Sequence, residues 1–76
     1  MIKELDDIIL TSDLPQHGLA KDDIGTVALV HNNGEGYEVE FTTLDGETLT
    51  VATLPASYVR PVCSGEIPHA RQPATA

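Results

Sequence analysis

The residues able to do chemistry are few and scattered. His17 shares a segment with Asp13, Asp22 and Asp23. An imidazole serves as a general base or binds a metal through either nitrogen, and nearby carboxylates would orient it if the segment folds back. The plainer reading is a histidine that hydrogen-bonds backbone groups and fixes a loop before Gly18. Glu38 and Glu40 lie two residues apart, with Glu47 across the Asp45-Gly46 turn. Paired carboxylates do acid–base work when burial or mutual repulsion separates their protonation, and a solvated strand supplies neither. The same acids also read as a docking stripe for a basic partner. Asp22 and Asp23 lack the spaced oxygens of a calcium loop and read as turn residues. Cys63 has neither a helix start nor a clear His or Lys neighbour to activate it as a nucleophile. Gly34 and Gly36 are followed by no helix and no lysine, so they do not form a phosphate cradle. Tyr37 and Tyr58 could flank a groove for a proline-rich segment, but with no tryptophan such a groove is poor. His31 closes a strand beside a turn, and His69 lies in a polar C-terminal stretch.

These residues sit in a chain of 76 residues, enough for one domain but not for a cleft roofed by a second. The formal charge is −8, and only Lys3, Lys21, Arg60 and Arg71 can neutralise phosphates, which argues against nucleic-acid binding. The same field repels anionic lipid and draws in basic proteins, or else it serves only to keep a small domain in solution. The single cysteine forms no internal disulfide, and no Cys or His cluster has zinc-ligand spacing. No cofactor or metal is implied, and a reducing compartment fits. Residues 1–7 lack the basic start and apolar run of a signal peptide, and no segment is long enough to span a bilayer. The expected location is the cytoplasm.

The elements that must position these residues are strands. Leu5 to Thr11 carries Ile8, Ile9 and Leu10 without helical periodicity and reads as the first, with a helical turn at the start of Met1 to Ile9 as the alternative. Ser12 to Asp23, with Pro15 and Gly18, is a long loop. Gly25 to Val30 is a second strand, and Asn32-Asn33-Gly34-Glu35-Gly36 supplies the positive-φ residues of a hairpin turn. Tyr37, Val39 and Phe41 then alternate with Glu38, Glu40 and Thr42, the period of a strand with one face buried and one in water. After Asp45-Gly46, Glu47 to Leu54 returns, with Leu49 and Val51 on one side and Thr48, Thr50 and Ala52 on the other. Pro55 to Tyr58 suits a helical turn, and Val59 to Val62 a brief closing strand in which Pro61 requires an edge or a strand end. The fold predicted is all-β: a small, SH3-like, partly open five-stranded barrel over residues 1–62. Residues 63–76, polar and proline-rich, are expected to form a disordered tail.

Lys-Glu-Leu-Asp-Asp-Ile-Ile-Leu at 3–10, Leu-Pro-Gln-His-Gly-Leu at 14–19, Asp-Ile-Gly-Thr-Val at 23–27, Tyr-Glu-Val-Glu-Phe at 37–41, Asp-Gly-Glu-Thr at 45–48 and Arg-Pro-Val at 60–62 together resemble domain of unknown function 4926. The resemblance covers about residues 2–62. It implies an SH3-like fold in a family of small, mostly bacterial proteins with no established activity, whose genes sometimes neighbour toxin-like genes. The family commonly has glycine at the position of Asp22, and this chain departs from it there.

Two functional expectations follow. The first is a non-catalytic binding module that covers a basic protein, such as a toxin-like enzyme, using His17, Asp22 and Asp23 from the loop and Glu38, Glu40 and Glu47 from the acidic face. The second is a small structural or accessory subunit, with a homodimer through a barrel edge as one form, whose charge serves only solubility. An enzyme reading would rest on His17 with an aspartate and lacks any further constellation.

Overall fold

The structure, a computed structural model, describes residues 1–72. It contains β1 (Asp7–Leu10), β2 (Ile24–His31), β3 (Gly36–Thr42), β4 (Thr48–Pro55) and β5 (Val59–Pro61). Single 3-10 turns lie at Pro15–His17 and Ala56–Tyr58, and there is no α-helix among the described residues. None of the helical turns is long and apolar enough to cross a membrane. All neighbouring strands are antiparallel and form one sheet in the order β4-β3-β2-β1-β5. The chain meanders from β1 to β4, and the second 3-10 turn then returns it so that β5 pairs with the far side of β1. β4 and β5 remain as edges, which leaves the sheet a partly open, SH3-like barrel, as the strand pattern predicts.

The core follows from the alternation. Tyr37, Val39 and Phe41 are buried, and Ile8, Leu10, Val27, Ala52, Leu54 and Val59 meet them from the other strands. Each large aliphatic or aromatic side chain in such a site contributes about 1.5–3 kcal/mol of transfer free energy. On β4 the inward side is that of Ala52 and Leu54, while Leu49 and Val51 face outward and are exposed. The β2–β3 turn takes positive φ at Asn32 (48°), Asn33 (59°) and Gly34 (104°), the conformations its composition favours.

The 12–23 segment is more ordered than its loop composition suggests. Pro15 presets φ for a 3-10 turn, and Gly18 ends that turn in the left-handed region at φ 71°. Leu14 and Leu19 then pair as an isolated antiparallel bridge and insert into the core. At the other end of the chain, Pro61 ends β5 on a sheet edge, where its missing N–H costs no ladder bond. Residues 63–72 contain no strand or helix and are exposed. Side-chain contacts of Arg60 and Arg71 hold this segment against the barrel. Glu66 forms a forked ion pair with Arg60, at 3.0 and 2.7 Å, and Arg71 hydrogen-bonds Asp23 through Nε at 2.8 Å. The remainder of the expected tail lies outside the described residues.

Candidate functional site

The acidic stripe is built on β3. Because Tyr37, Val39 and Phe41 point inward, Glu38 and Glu40 must point to the outer face of the sheet. Register then fixes their neighbours. Glu40 lies between Thr26 of β2 and Val51 of β4, and Glu38 lies between Leu29 of β2 and Thr53 of β4. Asp7 of β1 pairs with Thr26 and accepts a hydrogen bond from its hydroxyl at 3.1 Å, so the Glu40 row continues to a further acid.

Leu29 belongs to this face because of a bulge. A strict period of two from buried Val27 would turn Leu29 inward, but the β2–β3 register shifts between Val27 and Leu29, leaving Ala28 as an extra residue. Leu29 therefore faces outward, 42% exposed, while Val30 packs against the core. Together with Val51 at 52% and Leu49 at 44% exposure, it sets apolar side chains beside the two glutamates. Neither the bulge nor the outward side of β4 is visible from composition; the position where the alternation breaks is the only sequence signal.

Each glutamate has one neighbour that orients it. Glu38 Oε2 lies 3.2 Å from His31 Nε2, and Glu40 Oε2 accepts a hydrogen bond from Thr48 Oγ1 at 2.8 Å. Oε1 of each has no hydrogen-bond partner among the described residues. Glu47 is not across from Glu40. Its backbone closes the β3–β4 turn by accepting from Thr43 N at 2.8 Å, and its side chain is exposed at the rim of the same hairpin.

Among the described residues no hydrogen bond or ion pair joins His17, Asp22 or Asp23 to Glu38, Glu40 or Glu47. His17 is exposed, and its Nδ1 lies 3.5 Å from the Thr50 hydroxyl, a long contact that brings the loop to β4. The aspartates near His17 in sequence have other roles. Asp13 Oδ1 accepts from Lys21 N at 2.8 Å, and Asp23 Oδ2 accepts from Ala20 N at 2.9 Å and also meets Arg71. Burial pushes the Asp23 carboxyl up, but the Arg71 hydrogen bond, the Ala20 amide and the Arg71 charge outweigh it and hold it below the ordinary range. Asp22 occupies the left-handed region at φ 78° while its N–H donates to Leu10 O at 2.9 Å. That conformation explains why glycine suits the position, and aspartate is among the few other residues that tolerate it. Among the described residues, no group of three or more His, Cys, Asp or Glu side chains is placed to hold a metal ion.

The charge distribution is sharper than the net charge. No lysine or arginine occurs between Lys21 and Arg60, a span that includes all of β2, β3 and β4. Seven acids lie in it: Asp22, Asp23, Glu35, Glu38, Glu40, Asp45 and Glu47. Three of the four cations are engaged by acids of this chain: Lys3 by Asp6, Arg60 by Glu66 and Arg71 by Asp23. The outer face of β2, β3 and β4 thus has carboxylates and apolar side chains with no lysine or arginine of its own strands to compensate them.

Comparison with curated proteins and with solved structures finds no match. The family model described as Domain of unknown function (DUF4926) matches residues 4–61, from just before β1 to the end of β5, and the chain belongs to that family.

Proposed function

We propose that this protein is a non-catalytic binding module that docks onto a basic protein, as a neutralising subunit would on a toxin-like enzyme, through the outer face of β2, β3 and β4. The observation that carries this reading is the pairing of Glu38 and Glu40 with exposed Leu29 and Val51 on strands that contain no lysine or arginine. Half-exposed aliphatic side chains beside carboxylates give this face the mixed character that a docking surface needs. Interfaces combine an apolar centre with polar groups that fix register and partner choice. Acids on strands without lysine or arginine would steer a cationic partner and raise its encounter rate at low salt. Cytoplasmic action beside such a partner belongs to the same reading.

The test is affinity capture with the tagged protein from its own cell extract, washed at low and then high salt. A stoichiometric basic protein released by salt supports the docking reading. An empty bait that runs as a discrete oligomer contradicts it and favours a structural subunit.

A further inference from the structure

The two edges of the sheet are not alike. β5 is a three-residue edge ending in Pro61, followed by the Arg60–Glu66 ion pair. β4 has eight residues, Thr-Leu-Thr-Val-Ala-Thr-Leu-Pro, without a charge among them. Natural edge strands are usually blunted by being short, by lysine, by inward charges or by bulges that turn them away, because an unpaired row of N–H and C=O groups recruits other strands. β4 has a register irregularity at its start, near Thr48, and proline only at its last residue. Between these, residues 49–54 make no backbone hydrogen bond other than to β3 among the described residues.

The phase of the ladder shows which groups are free. Ala56 N donates to Glu35 O at 3.0 Å, and the register pairs Tyr37 with Leu54, Val39 with Ala52 and Phe41 with Thr50. Hydrogen-bonded and non-hydrogen-bonded pairs alternate in an antiparallel ladder, so Leu54, Ala52 and Thr50 bond to β3. Val51 and Thr53 therefore turn their N–H and C=O groups to the open edge. Pro55 falls in the same phase, where its missing N–H costs nothing. Val51 and Thr53 are also the residues whose side chains flank Glu40 and Glu38 on the outer face.

We infer that the free edge of β4 takes up an extended segment of a basic protein partner as a sixth strand, bonded to the backbone of Val51 and Thr53 and reaching Glu38 and Glu40 with its cationic side chains. This inference rests on the docking reading above and adds the manner of docking. A strand added to β4 lies two strand spacings, about 9–10 Å, from β3. A lysine or arginine on its outer face spans that distance together with a glutamate, passing over Val51 and Thr53, whose side chains are short. Backbone pairing supplies affinity and the alternate side chains supply selectivity, as in other strand-addition complexes. A second copy of this chain is the poorer occupant, since it carries the same charge of −8 and would bring its own glutamates to the acidic face.

The experiment uses the full chain and two synthetic eight-residue peptides that alternate lysine with valine or threonine, one of them N-methylated along one edge. Both carry the same charge, but only the unmodified one can pair with a strand. The unmodified peptide is expected to bind and to slow amide exchange at Val51 and Thr53, with Ala52 and Leu54 already protected in the free protein. With two or more backbone bonds at stake, its N-methylated counterpart is expected to bind at least about tenfold more weakly. Equal, salt-sensitive binding of both peptides would overturn strand addition and leave acidic-face docking standing. Binding by neither would overturn strand addition, whereas docking itself stands or falls on the affinity capture. Concentration-dependent protection of Val51 and Thr53 in the protein alone would make the occupant a second copy and overturn the inference.

Discussion

Glu40 on β3 stands directly opposite Val51 on β4, a carboxylate beside an aliphatic side chain that is 52% exposed. Leu29 and Glu38 repeat the relationship one row away. If these apolar side chains form part of an interface, Leu29→Ser and Val51→Ser each weaken the complex by about 5–30-fold, the range of a significant interface truncation. Because neither side chain is in the core, each substitution costs about 1 kcal/mol or less of folding stability. Chemical denaturation alongside a binding titration separates the two effects.

Gly25 is predicted to be intolerant of any side chain. A Cβ there would lie 2.5 Å from Val39 Cγ1 and 2.8 Å from Phe41 Cε1, and both of those side chains are fixed in the core. Gly25→Ala is therefore expected to lower stability by about 1–3 kcal/mol, the usual cost of overpacking. The urea midpoint reports it.

Asp22→Gly is expected to act in the opposite direction. At φ 78° an L side chain is strained, and glycine relieves that strain while keeping the N–H bond to Leu10 O. The gain is about 0.5–1 kcal/mol after the extra chain entropy of glycine is subtracted. A rise in the thermal midpoint would show it, and a fall would mean that the Asp22 side chain contributes more than its backbone costs.

The C-terminal segment is pinned by carboxylates whose charged forms the folded state favours. The Arg60 hydrogen bonds, with a further one from Cys63 N–H, bring the Glu66 carboxyl from 4.5 to about 2. Its contribution is thus fully present above pH 4.5 and fades as the pH falls toward 2, loosening residues 63–66. Carboxyl carbon titration by NMR should find Glu66 near the bottom of that window, and Arg60→Gln should move it most of the way back, with the Cys63 amide retaining part of the shift. Arg71→Gln should raise Asp23 in the same experiment, since burial would then be opposed chiefly by the Ala20 amide.

The alternation of Tyr37, Val39 and Phe41 with Glu38 and Glu40 is legible without coordinates, and so are the Asn32–Gly36 hairpin and the end position of Pro61. These are local, fixed by side-chain period and by φ preferences. The outward turn of Leu29 is not local. It depends on a bulge at Ala28 that is stabilised only once Val27 and Val30 both pack inward. The order in the 12–23 loop likewise comes from the insertion of Leu14 and Leu19 into a core made by other strands. Which partners His17, Asp22 and Asp23 take is not local either: His17 reaches Thr50 of β4, and Asp23 is engaged by a cation 48 positions further along the chain.

The most direct test is the affinity of the captured basic partner for the wild-type protein and for the double variant Glu38→Lys/Glu40→Lys, measured at low and at high salt. Placing like charge against a cationic surface costs several kcal/mol, so the double variant is expected to bind at least about 100-fold more weakly at low salt. The difference should shrink as salt screens it. Unchanged affinity in a variant that folds as the wild type does would contradict docking through this face.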